Sequence, residues 1–181
     1  MLFLNRYNKT EKGLYNYYYS LVIGSAVYNV GDSPDGGSLI TKLNLNDGDV
    51  IWEKSYHFNG SISFRKLIVC DDGKDFLVLG TTEDYRICLL RVNSDGVIIW
   101  KKILNNVLYD YQMPHEKNFN TLVSVGDENY ILAFTEKAQQ QNQYTIVLKF
   151  DGNGDIITQK KLDDKDKFTL QGVAVNHSEK K

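Results

Sequence analysis

Three stretches of the chain can be laid one on another: "LITKLNLNDGDVIWEKSY" (39–56), "CLLRVNSDGVIIWKKIL" (88–104) and "IVLKFDGNGDIITQKKL" (146–162). Each has an apolar run, a Lys or Arg, a short Asn/Asp/Gly turn, and a second apolar run rich in lysine at its end. Trp52, Trp100 and Thr158 correspond, at spacings of 48 and 58 residues. Lys42, Arg91 and Lys149 correspond at 49 and 58, so the first turn carries one extra residue. Repetition at roughly 50 residues defines a unit that cannot bury its apolar faces alone and must stack on its neighbours.

A second hairpin precedes this one. "FRKLIVCDDGKDFLVLGTT" (64–82) matches "FNTLVSVGDENYILAFTE" (119–136), each reading as strand, polar turn, strand. In the first repeat, "YYSLVIGSAVYN" (18–29) is expected to supply the second strand of that hairpin, with Gly24 matching Gly80 and "LFLNRY" (2–7) as its first strand. "FTLQGVAVNHSEKK" (168–181) reads as the opening of a fourth repeat. The unit is thus four strands, a to d. "SLVIG", "FLVLG" and "YILAF" are the expected second strands, continuously apolar as in strands covered on both faces. Strand d ends in lysines (Lys54; Lys101 and Lys102; Lys160 and Lys161), which suits an outer edge because charge discourages further pairing.

Four-stranded units at this period are characteristic of β-propeller blades. The fold expected is all-β, with three blades of four antiparallel strands and the first strand of a fourth in a single domain, residues 1–181. The blades fall at about 1–56, 61–104 and 119–162, and the fourth starts at about 167–176. The pattern "LLRVNSDGVIIWKKIL" followed by "DENYILAF" resembles the blades of bacterial β-propeller repeat proteins, grouped with the quinoprotein-like and WD40-like propellers. The resemblance implies the fold and is nearly silent on activity, because propellers host many functions. Thr158 stands where the pattern has tryptophan, and "DEN" and "DDGKD" stand where it has "DGG". No catalytic residue carries over and no quinone-binding constellation is visible, so no cofactor is expected. Propellers have about four to eight blades. Three therefore imply a longer protein, or a homo-oligomer completing a ring, two copies giving six.

The formal net charge of −2, with both signs interspersed, offers no basic stripe for nucleic acid. No apolar run is long enough for a membrane span. The opening "MLFLNRYNKTEKG" has too short an apolar part for a secretory leader, and the compartment stays open, since the resembled family is often secreted or envelope-associated. Cys70 and Cys88 lie about two strand spacings apart in one blade, roughly 9–10 Å, beyond disulfide reach, and are expected as free thiols.

Strand reversal puts the a–b and c–d turns on one face and the b–c and d–a connections on the other. The first set is short and stereotyped; the second varies, and function on a rigid scaffold usually resides in such loops. The loop 105–118 is the leading candidate. Its Tyr109, Asp110, Tyr111, His115 and Glu116 combine aromatics, carboxylates and an imidazole, which suits a sugar or peptide through stacking and directed hydrogen bonds. In "YNYYY" (15–19), strand alternation would put Tyr15, Tyr17 and Tyr19 on one side and Tyr18 on the other, as strand packing or a stacking platform. His57, His115 and His177 are scattered without ligand spacing, and no nucleophile elbow, P-loop or dinucleotide fingerprint appears. Asn8, Asn59 and Asn176 begin sequons, which chance explains. "FDGNGDIITQKKL" (150–162) begins like a calcium loop, but Ile156 and Leu162 stand where the loop needs Gly and a bidentate Glu. It reads instead as the c–d turn of the third blade. The functional expectation is a non-catalytic binding or scaffold module contacting protein or carbohydrate through the long-loop face. The alternatives are part of an enzyme with catalytic residues in other blades, and a purely structural array.

Overall fold

The computed structural model describes residues 16–84, 86–108, 122–137 and 143–163. Among them are twelve strands and no helix. They form three antiparallel sheets: β1 (Asn16–Ile23), β2 (Ala26–Asp32), β3 (Ser38–Asn44) and β4 (Val50–Tyr56); β5 (Ile62–Val69), β6 (Phe76–Thr82), β7 (Arg86–Val92) and β8 (Ile98–Leu108); β9 (Leu122–Gly126), β10 (Asn129–Lys137), β11 (Gln143–Asp151) and β12 (Ile156–Asp163). Each sheet is a meander in chain order. The first strands lie against one another, β1 on β5 and β5 on β9, while β4, β8 and β12 are the outer edges. The lysine-rich strand d is therefore the edge, as its composition requires. The repeat register also holds: Lys42 pairs with Trp52, Arg91 with Trp100 and Lys149 with Thr158.

One expectation for the first blade needs correction. Gly24 does not match Gly80; it sits in the β1–β2 turn at φ 57°. The stretch 16–23 is the inner strand of its sheet, with alternating exposure rather than the continuous burial of a second strand. Gly31 of β2 is the true counterpart of Gly80, one residue before Asp32 as Gly80 is one before Thr81. The expected strand at 2–7 and the fourth-repeat start at 167–176 lie outside the described residues.

Period-two alternation lets the middle sheet serve two cores. Phe64, Phe76, Val78, Cys88, Leu90 and Val92 pack with Tyr28, Val30, Ile40 and Tyr56 of the first sheet. Leu77, Leu79, Ile87 and Leu89 pack with Tyr130, Leu132, Phe134, Ile146 and Phe150 of the third. Each such side chain stabilises the stack by about 1.5–3 kcal/mol when fully buried. The two cysteines fall on opposite faces, Cys70 in one core and Cys88 in the other, and both are free.

Neighbouring sheets are joined by a repeated clasp. The Trp52 ring and the Lys54 stem cover Gly96 in the next sheet's outer turn, and Lys54 Nζ donates to the Asp95 carbonyl at 2.5 Å. One blade on, Trp100 and Lys102 cover Gly154, and Lys102 Nζ meets Asp155 Oδ1 at 2.5 Å. Gly96 and Gly154 have φ of 72° and 75°, the left-handed region that favours glycine. A Cβ at Gly96 would stand 2.8 Å from Tyr56 Oη and 2.9 Å from the Trp52 ring. Trp100 Nε1 donates to the Gly152 carbonyl at 3.0 Å, whereas Trp52 Nε1 is buried with no acceptor among the described residues. Thr158, in the same slot of the third sheet, is exposed.

Arg91 adds a second stitch on the short-turn face. Its Nε donates to Asp75 at 2.8 Å, Nη2 to Asp72 at 2.9 Å, and Nη1 to Glu128 at 2.7 Å and the Gly152 carbonyl at 3.0 Å. One guanidinium thus ties β7, the turn beside it and two turns of the next sheet.

Candidate functional site

The inner strands carry a β-bulge at the same place in the first two sheets. In β1 the register slips between Tyr17 and Tyr19, so Tyr18 is the extra residue; in β5 it slips between Phe64 and Lys66, and Arg65 is extra. Opposite each bulge stands a glycine. A Cβ on Gly31 would lie 1.8 Å from the Asn16 carbonyl oxygen, and one on Gly80 would lie 3.0 Å from that of Ser63. The glycines let the bulged backbone approach, and a bulge re-aims the side chain it carries.

The two re-aimed side chains meet. Arg65 lies over the Tyr18 ring, its Cζ 3.9 Å from the ring centroid. The Tyr18 hydroxyl donates to Asp32 Oδ2 at 2.7 Å, and the Ser63 hydroxyl donates to Asp32 Oδ1 at 2.5 Å. Burial, then the bond to Asp32, raises the Tyr18 pKa, so the phenol stays a proton donor to the carboxylate. Tyr18 nevertheless remains 43% exposed. The cluster bridges two blades at the end of β2, on the face of the b–c and d–a connections.

The bulge also overturns the expected sidedness of the tyrosine run. Tyr17 pairs with Gly31 and Tyr19 with Val30, so the two point to opposite faces. Tyr17 Oη is 3.1 Å from Thr41 Oγ1, while Tyr19 packs on the core shared with the middle sheet. Tyr15 lies outside the described residues, and Tyr17–Tyr19 form neither a single aromatic platform nor a plain alternating strand.

Further polar groups line the same face. His57 Nε2 lies 3.3 Å from Asp35 Oδ2, and Asp35 Oδ1 accepts the Gly37 N–H at 3.3 Å. Bonds from Ser33, Gly37 and His57, the Ser33 hydroxyl foremost, hold the Asp35 carboxyl below the usual range. The Ser55 hydroxyl donates to Ser33 Oγ at 3.1 Å. In this arrangement the carboxylate, not the imidazole, meets the serine, so the nucleophile–base contact of a Ser–His–Asp triad is not made. In the second blade Arg86 Nε meets Asp84 Oδ2 at 2.7 Å, and the Thr82 hydroxyl donates to Asp84 Oδ1 at 2.5 Å.

Tyr109, Asp110, Tyr111, His115 and Glu116 lie outside the described residues. Their loop leaves β8 at Leu108, which pairs with Arg86 at the start of β7, and so departs from this same face. Among the described residues no group of three His, Cys, Asp or Glu side chains is placed to hold a metal ion. In the calcium-like stretch, Asp151 Oδ1 accepts the N–H groups of Asn153 and Asp155 at 2.9 Å each, and the Gly154 N–H closes on the Asp151 carbonyl at 2.8 Å. This carboxylate organises its own hairpin, as Asx turns do. Asp32, Ser63 and Arg65 carry no motif of their own in the sequence. The signal was present, a glycine near the end of strand b in two blades, but Gly24 obscured it.

No protein-family model matches the chain, and no curated protein is similar to it in sequence. Solved structures do resemble it. The β-propeller domain of the Trilobed protease from Pyrococcus furiosus, which has an open velcro topology, superposes with a TM-score of 0.51 at 12% identity over 83% of this chain. The periplasmic gluconolactonase PpgL of Pseudomonas aeruginosa superposes with a TM-score of 0.52 at 12% identity over 86%. The chain spans 44% and 40% of those two chains. At this identity the likeness speaks for the fold alone, and with the three meandering sheets it establishes that the chain is an all-β array of β-propeller blades.

Proposed function

We propose that the protein is a non-catalytic binding or scaffold module that takes a protein or carbohydrate partner on the face of its b–c and d–a connections. The observation that carries this reading is the bulge cluster, where Asp32 holds Tyr18 and Ser63 in place from two blades while Tyr18 stays 43% exposed. A polar group fixed on a rigid strand and left open to solvent is preorganised for recognition. The loop with Tyr109, Asp110, Tyr111, His115 and Glu116 leaves the same face and would add aromatic and acidic contacts.

The test is a parallel screen of the purified protein on immobilised glycans and immobilised peptides, with the Asp32→Asn protein and the Tyr109→Ala, Tyr111→Ala double variant beside it. Signal on one partner class, reduced in at least one variant, supports the reading. Absence of signal in both classes refutes it.

A further inference from the structure

We propose that Tyr18, Asp32, Ser63 and Arg65 form a subsite for a neutral saccharide, a pyranose ring lying on the open part of Tyr18 with two hydroxyls donated to Asp32. This inference rests on the binding reading above and narrows it to one ligand chemistry at one place.

The charges select the class. An anionic ligand reaching Arg65 would come close to the Asp32 carboxylate, which lies between Tyr18 Oη at 2.7 Å and Ser63 Oγ at 2.5 Å. A cationic ligand reaching Asp32 would meet the Arg65 guanidinium, stacked 3.9 Å from the centre of the Tyr18 ring. A neutral molecule with many hydroxyls is repelled by neither. Among the described residues Asp32 accepts one bond on each oxygen, and an ionised carboxylate has about four acceptor positions, which leaves one on each oxygen for ligand hydroxyls. Vicinal hydroxyls of a sugar match that pair. Tyr18 presents a rigid, amphipathic ring on which the C–H face of a pyranose packs, at low entropic cost. The ring cannot swing away, because Arg65 lies over it and Asp32 holds its hydroxyl. The backbone below is fixed by the two bulges and their glycines.

The experiment is a calorimetric and NMR titration of the full chain with methyl glycosides of glucose, galactose and mannose, and with cellobiose and maltose. Binding of at least one sugar is expected. Tyr18→Ala and Asp32→Asn should each weaken it about tenfold or more. Tyr18→Phe, which keeps the ring, should weaken it less, and Asp127→Asn, exposed in the β9–β10 turn on the opposite face, should leave it unchanged. If Asp32→Asn fails to fold, Tyr18→Phe and Ser63→Ala take its place, both with smaller losses expected. The proposal is overturned if no sugar binds, or if binding is indifferent to Tyr18→Ala and Asp32→Asn. Peptide binding without saccharide binding would overturn the subsite and leave the binding reading intact; no binding in either class would overturn both.

Discussion

Trp52 and Trp100 occupy the same repeat slot, clasp the same kind of turn, and differ in one hydrogen bond, which makes them a matched pair for measurement. A fully enclosed tryptophan buries roughly 150–250 Å², and Trp100 is half-buried. Trp100→Ala therefore returns about 100 Å² of apolar surface to water, about 2.5 kcal/mol at 25 cal/mol/Å². Loss of the N–H bond to the Gly152 carbonyl adds about 1 kcal/mol. Phenylalanine separates the two contributions. Trp100→Phe keeps most of the contact over Gly154 and loses the bond, for a net cost of about 1–2 kcal/mol. Trp52→Phe loses the same ring area but removes a buried N–H with no acceptor, whose desolvation costs about 1–3 kcal/mol. It should be neutral or stabilising. The two substitutions should thus differ by about 2 kcal/mol, and because both shrink the same ring in the same slot, the ring term largely cancels. Urea unfolding followed by circular dichroism, compared at equal m-value, reads the difference. Equal destabilisation to within about 0.5 kcal/mol would refute the reasoning about the unpaired indole.

Four further outcomes are expected. Gly96→Ala combines a left-handed φ of 72° with a Cβ 2.8 Å from Tyr56 Oη, and should cost about 2 kcal/mol or more; Gly36→Ala, at φ 84° with open space around it, should cost only about 1–2 kcal/mol by urea denaturation. Arg91→Lys cannot reproduce the fork to Asp72, Asp75 and Glu128 and should lower stability by about 2 kcal/mol, an effect that a salt titration reduces only in part because the arginine side chain is 13% exposed. Burial pushes both thiols up to about 12, so Cys70 and Cys88 should resist a thiol-specific chromogenic reagent in the native protein at pH 8 and both react in denaturant. In the unfolded chain those thiols ionise near 8.5, below their folded values, so the unfolded state holds fewer protons over that interval. Stability should fall as pH rises from about 8.5 towards 12, and pH-stepped urea curves check it.

The repeat was legible because turn chemistry and period leave a linear trace. Lysine followed by Asn/Asp/Gly and then tryptophan marks two strands and their connection, and the pairs Lys42–Trp52 and Arg91–Trp100 follow directly. The first hairpin was misread for a physical reason. Gly24 in a turn and Gly31 opposite a bulge lie seven residues apart in an apolar setting, and composition does not say which serves which purpose. That slip also hid the site. Asp32 and Ser63 are 31 residues apart and belong to different sheets, so only the packing of β2 against β5 brings them together. Tyr18 and Arg65 became partners through two register shifts, which period-two reasoning assumes away. The Trp52 and Trp100 clasps depend on the same stacking, although their repetition in sequence hinted that the slot had a purpose.

The middle sheet has a consequence for how this chain can change. Along β6, neighbouring residues report to different cores, Phe76 and Val78 to one and Leu77 and Leu79 to the other. A substitution there is felt by one flanking sheet and barely by the other, so the two interfaces can drift in sequence independently. Insertion of a single residue has the opposite character, because it would exchange the contents of both interfaces at once. Such a strand tolerates replacement far better than change of length. Lineages of this array should accordingly vary in side chain along β6 while its residue count stays fixed, with additions and deletions confined to the connecting loops.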